Sequence, residues 1–268
     1  MQINKVKMGS GEKMIYVEPR AGLCNRMRVM ASAYNLAKEY NTTMTVLWRV
    51  SEGLNCSYYD LFCHDPLVSV IETKHKFSIK FLVKALKARR CFFNIKEEDG
   101  EKVESLVRNK KNVYVNTVFD FYDVKHYEMF VPIPEIEKRI ADICQSYASY
   151  TIGIHIRRTD NIMAIEHSPL SVFLEFIDKE IEKNSDVRFY LATDSQEVEK
   201  EIVSCYKEYI ILNENRTLGR NLQKGIEDAL IDLGCLSRCD LIAGSYYSSF
   251  SETAAHWGKE KELKVLVS

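Results

Sequence analysis

"MIYVEPRAGLCNRMRVMASAYNLAKEYNTTMTVLW", residues 14–48, decides the fold. Within it "MIYVE" (14–18) is a short apolar-rich strand, and "RAGLCNRMR" (20–28) turns into a helix that runs to about Tyr40. "TMTVLW" (43–48) is the next strand. Met27, Met30, Ala31, Tyr34 and Ala37 recur at helical spacing, so this helix has an apolar face. Strand, loop, helix, strand is the unit of a parallel α/β sheet, and its crossover is right-handed.

A second such series starts at Tyr150. "YTIGIHI" (150–156) reads as a strand, 171–183 as a helix, "RFYLAT" (188–193) as a strand and 195–206 as a helix. "YIILN" (209–213), "DLIAGS" (240–245) and "LKVLV" (263–267) are further strands, separated by a long helix over 222–239 and another from about Ser249. Upstream, "NVYVNTV" (112–118) is a strand, and "VPIPEIEKRI" (131–140) has two prolines ahead of a helical pattern, which suits an interdomain connection. The expectation is an α/β protein of two facing Rossmann-like domains with parallel sheets, 1–130 and 150–268, joined by a linker at 131–149. The stretch from Ser51 to Lys111 is less legible. "DLFCH" (60–64) reads as a short helix. "KFSIKFLVKALKARR" (76–90) reads as a basic amphipathic helix, either a solvated face over a packed one or a contact for an anionic acceptor or partner.

With 37 basic and 38 acidic residues the formal net charge is −1, which argues against a general nucleic-acid or membrane-surface binder. The positive charge that matters is therefore local. No signal peptide or membrane span is expected. The eight cysteines lack a zinc-site spacing and read as reduced thiols of a cytoplasmic protein.

In open parallel sheets a ligand sits beyond the carboxyl ends of the strands. "HIRRTD" (155–160), "ATDS" (192–195) and "GSYYSSFSE" (244–252) each follow an apolar strand, so the fold would gather them at one rim. Arg157 and Arg158 offer planar donor forks suited to phosphate oxygens; a structural Arg–Asp network through Asp160 fits the same residues. Strand alternation puts His155 and Arg157 on one face and Arg158 on the other. Asp194 reads either as a ligand to a base or ribose or as a helix N-cap. Ser249 and Glu252 have capping-box spacing, with Ser248 and Ser249 the candidates for an anion. In the first half, Gly22 relieves the backbone, Asn25 can cap the helix, and Arg26 and Arg28 read as solvated helix charges.

"GIHIRRTDN" followed by "EHSP", then "RFYLATDS", then "DLIAGSYYSSFSETAAHW", resembles the α1,6-fucosyltransferase and peptide O-fucosyltransferase superfamily over about Thr151–Trp257. "AGLCNRMR" looks like the first loop of bacterial, nodulation-type fucosyltransferases. The resemblance implies a GT-B fold, GDP-fucose as donor substrate, no metal, and a glycan acceptor. It implies that Arg157 binds the β-phosphate, that His155 and Asp194 hold the guanine and ribose end, and that Ser248 and Ser249 contact phosphates. Arg158, Gly22 and Asn25 fall on the donor side, and Asp160 orders the loop. Glu166, one residue out of register with the family's glutamate, is the candidate base. A nucleotide- or glycan-binding relic without transfer, and a transferase using another GDP-sugar, are the alternatives.

Overall fold

The computed structural model describes residues 14–74, 88, 90–95, 97–124 and 127–268. The chain divides into two units, one of 1–21, 25–50 and 64–124, the other of 22–24, 51–63 and 125–268. Each holds a five-stranded, all-parallel sheet.

In the first unit the order is β3-β2-β1-β5-β4, with β1 Met14–Pro19, β2 Thr43–Arg49, β3 Val68–Thr73, β4 Arg90–Phe93 and β5 Val113–Thr117. Helix α1, Leu23–Glu39, follows β1. It is buried almost all round: beyond the expected face, Val29, Ala33 and Leu36 are also inaccessible, as befits a helix packed on more than one side. Helix α2, Gly100–Arg108, precedes β5. The edge strands β3 and β4 and helix α2 have no counterpart in the sequence reading. The helix expected at 60–64 does not form. The amides of Leu61 and Phe62 both reach the Tyr58 carbonyl, and Phe62 then bridges Pro132 as an antiparallel pair. The flanking Cys63 amide donates to the Val131 carbonyl and the Leu61 carbonyl accepts from the Ile133 amide, just ahead of the helix that starts at Pro134. Apart from Ala88 and Arg90, the amphipathic helix expected over 76–90 lies outside the described residues.

In the second unit α3, Pro134–Cys144, begins with a proline whose fixed φ suits that position. Its sheet runs β10-β9-β6-β7-β8, with β6 Thr151–Ile156, β7 Arg188–Thr193, β8 Ile210–Ile211, β9 Leu241–Ser245 and β10 Glu262–Leu266. The connecting helices are α4 Ile162–His167, α5 Leu170–Lys183, α6 Gln196–Tyr206, α7 Gln223–Leu236 and α8 Ser249–Trp257. Ile152, Ile154 and Ile156 of β6 pack with Phe189 and Leu191 of β7 against Phe173 and Ile177 of α5 and Val198 and Ile202 of α6. Full burial of each large side chain of this kind contributes about 1.5–3 kcal/mol.

The strand order places the site. From β6 the chain steps outward through β7 to β8, then returns to the other side of β6 as β9. His155 pairs with Ala192 on one side and Gly244 on the other. The carboxyl ends of β6 and β9 therefore form a topological switch point, where neighbouring loops diverge and leave a crevice.

Candidate functional site

The three strand-end loops are tied to one another at this switch point. Asp194, directly after β7, accepts the backbone amides of Arg158 at 2.7 Å and Thr159 at 3.2 Å, and the Thr159 hydroxyl at 2.5 Å. The Arg157 amide donates to Ser245 Oγ, at the end of β9, at 3.0 Å. Asn161 caps α4 through Ala164 and donates from Nδ2 to the Tyr247 carbonyl at 2.9 Å.

Within that frame the two arginines differ. The Arg157 guanidinium lies 3.1 Å from Asp194 Oδ2 through Nε and pairs with Asp160 through Nη2. The Arg158 guanidinium reaches back to the Ser168 carbonyl at 2.5 Å. Ser168 Oγ in turn donates to Leu266 and accepts from the Tyr246 amide. Arg158 is thus a brace between loops, and Arg157 is the arginine facing acidic partners.

His155 is buried, with Nδ1 2.8 Å from Ser251 Oγ and its ring stacked on Phe250 at 4.7 Å between centroids. Burial first, then the Arg157 charge, lower its pKa to about 3, with Asp194 acting the other way. The imidazole is neutral at physiological pH. For Asp194, burial works to raise the pKa, but the Thr159 hydroxyl, the Arg157 charge and the two amides outweigh it and leave the carboxyl below its ordinary range.

Several local expectations shift. The cap of α6 is Ser195, whose hydroxyl accepts from the Val198 amide; Asp194 holds the arginine loop instead. Ser248 takes the N-cap position of α8, so Ser249 is its first residue and the Ser249–Glu252 capping box does not form. Ser248 is buried as a residue, and its side chain makes no capping bond. Asn25 sits inside α1, because the helix begins at Leu23, and cannot be its cap. The left-handed residue of that loop is Ala21, with φ 66°, not Gly22. A side-chain carbon built at Gly22 would stand 3.7 Å from the Arg220 guanidinium.

Arg26 is buried, not solvated. It donates to the carbonyls of Ala21 at 3.0 Å and Arg49 at 2.7 Å and lies over Trp48. Desolvation, then the Arg49 charge, lower its pKa to about 10, against the opposing effect of Glu18. Arg28 donates to the Val118 carbonyl at 3.0 Å. Glu166 is exposed on α4.

Sequence reasoning passed over Thr159, Ser168, Ser245, Ser251 and Arg220. Ser245 and Ser251 stand inside a quoted motif, but their partners lie 88 and 96 residues away, and no local pattern encodes that pairing. Arg220 is preceded by Gly219 at φ 123°, a turn signal that was available. Among the described residues no three His, Cys, Asp or Glu side chains cluster to hold a metal ion, and no helix is long and apolar enough to cross a membrane.

Two Rossmann-like units with parallel sheets and a polar switch point define a GT-B-like α/β fold. Solved structures share it. NodZ alpha-1,6-fucosyltransferase co-crystallised with GDP matches with a TM-score of 0.62 at 17% identity, covering 91% of each chain. An arginine-to-lysine mutant of Arabidopsis thaliana FUT1 in complex with GDP matches with a TM-score of 0.62 at 15% identity, covering 94% of this chain and 70% of that one. POFUT1 in complex with GDP-fucose matches with a TM-score of 0.59 at 11% identity, covering 96% and 98%. No family model and no curated protein sequence matches.

Proposed function

We propose that the chain is a glycosyltransferase that moves fucose, with inversion, from GDP-β-L-fucose to a glycan hydroxyl. The observation that carries this reading is the Arg157 guanidinium at the switch point, on a loop whose amides are held by Asp194 and Ser245. A planar donor fork on a fixed backbone is what a leaving diphosphate needs. Support for the donor comes from the shared fold, since the solved relatives hold GDP and GDP-fucose.

In the proposed reaction the acceptor oxygen bonds to the anomeric carbon as the bond to the β-phosphate oxygen breaks. The electron pair leaves with GDP, and the acceptor proton passes to a base, for which Glu166 is the candidate. Charge grows on the diphosphate in the transition state, so a fixed cation there stabilises it more than the ground state. Arg157 takes that role. Ser248 and Ser249, at the start of α8, contact phosphates. His155, with Asp194 behind the loop, shapes the guanine and ribose end, and Gly22 and Asn25 belong to the donor side. No metal is required where arginine supplies the charge. EDTA should leave turnover intact, and loss of activity restored by magnesium would remove that part. A cytoplasmic setting belongs to the same reading.

Calorimetry with GDP, UDP and a panel of GDP-sugars tests the donor. GDP and GDP-fucose should bind and UDP should not; a preference for UDP, or no nucleotide binding, overturns it. The pairing of Arg157 with two carboxylates favours one second reading, a nucleotide-binding module without transfer. Slow release of GDP from GDP-fucose in the absence of acceptor separates them, because a pure binder releases none.

A further inference from the structure

We infer that Arg220 is a second phosphate-binding cation of this site, and that the Asp160 carboxylate occupies the anion's place between it and Arg157. The inference rests on the nucleotide-diphosphate reading above and adds a residue to it.

The loop that carries Arg220 is tightly determined. Gly219 has φ 123°, a conformation that residues with a side chain rarely adopt. A side-chain carbon at Gly225, in the first turn of α7, would lie 2.0 Å from the Gly219 carbonyl oxygen, so two glycines are needed for one turn. Asn55 then pins the backbone beyond it. Its amide donates to the Arg220 carbonyl at 3.1 Å, and its Nδ2 donates to the Asn221 carbonyl at 2.8 Å. All of this places a side chain that is still 48% exposed and ends 3.0 Å from Asp160, itself 53% exposed. An exposed ion pair contributes about 0–1 kcal/mol, too little to account for such a constrained turn.

The geometry of the three charges supplies the account. Asp160 gives one oxygen to Arg157 and the other to Arg220, so one carboxylate bridges two guanidinium groups from different loops. A diphosphate has more charge and more acceptor oxygens than a carboxylate and satisfies two donor forks better. Gly22 leaves the face of the Arg220 guanidinium uncovered, since any side chain there would reach it at van der Waals distance.

The test is calorimetry of the wild type, Arg220→Ala, Arg220→Lys and Asp160→Asn, with GDP, guanosine and inorganic pyrophosphate. Arg220→Ala should weaken GDP and pyrophosphate about 10–100-fold, as expected for loss of a charge-assisted fork. It should leave guanosine unchanged and make GDP binding less sensitive to salt. Arg220→Lys, which keeps the charge without the fork, should fall between. Asp160→Asn should tighten pyrophosphate several-fold, an effect that a merely structural aspartate would not produce. Equal losses for GDP and guanosine, or unchanged pyrophosphate binding in Arg220→Ala, would overturn the inference. If the wild type ignores GDP but binds pyrophosphate through Arg220, the donor reading falls and this one stands.

Discussion

The Asp194 carboxylate accepts the Arg158 amide at 2.7 Å, so the residue directly after β7 sets the backbone of the loop leaving β6. The same carboxylate bonds the Thr159 amide and hydroxyl and meets Arg157 Nε. One side chain thus determines both where the arginine loop runs and which way Arg157 points.

Asp194→Asn tests this control. The amide keeps one acceptor but turns a donor toward donors, and removes the charge opposite Arg157. Loss of charge-assisted hydrogen bonds at a part-buried site should destabilise the fold by about 2–3 kcal/mol. The wild-type contribution is present above the ordinary aspartate pKa of 3.8 and is lost as pH falls through the lower folded value. Urea melts at pH 7 and pH 3 should therefore show a gap between wild type and variant that narrows in acid. An equal gap at both would show that the charge has no part.

Arg157 is tested by shape as well as charge. Arg157→Ala should lower transfer by about 10²–10³-fold, the loss typical of one preorganised donor at a developing anion. Arg157→Lys should remain poor, because a point charge does not reproduce the fork. Thermal melts establish that both variants fold. Near-normal turnover in the lysine variant would remove Arg157 from the diphosphate.

The parallel sheets were legible because β1, β6, β7 and β9 are apolar runs with no alternation to obscure them, and "HIRRTD" stands where a strand exits. Arg26 was misread for a physical reason. An arginine on an otherwise apolar helix looks solvated unless its carbonyl partners, Ala21 and Arg49, are known, and Arg49 lies 23 residues away at the end of β2. Strands β3 and β4 were missed because edge strands bury little, as the exposed Ser69, Arg90, Cys91 and Phe93 show. The cap of α6 fell one residue from expectation because "TDS" offers competing side-chain acceptors to the same amides, whereas α8 starts after Ser248 without any side-chain cap.

Gly244 is where β9 meets α8. A side-chain carbon there would lie 2.3 Å from Ser251 Oγ and 2.6 Å from its Cβ. Gly244→Ala should therefore cost about 1–3 kcal/mol by overpacking. It should also push Ser251 away from His155. Adding Ser251→Gly should recover much of the loss, and that coupling in a double-mutant cycle marks the contact as its cause. Additive effects would place the strain elsewhere.

His155 supplies the last prediction. Its folded pKa, about 3, lies below the ordinary 6.5, so the native state declines a proton that the unfolded chain accepts between those values. Stability from this residue is complete above pH 6.5 and is lost as pH falls toward 3, at a slope approaching 1.4 kcal/mol per pH unit. His155→Gln has no proton to refuse but keeps a polar group for Ser251. Its stability should decline less steeply between pH 6.5 and 4.5 in denaturant titrations than that of the wild type. Parallel slopes would mean that the imidazole is charged in the folded protein. A neutral ring also bears on the site, because a cation packed behind Arg157 would compete with it for Asp194 and weaken the grip on the loop that presents the guanidinium.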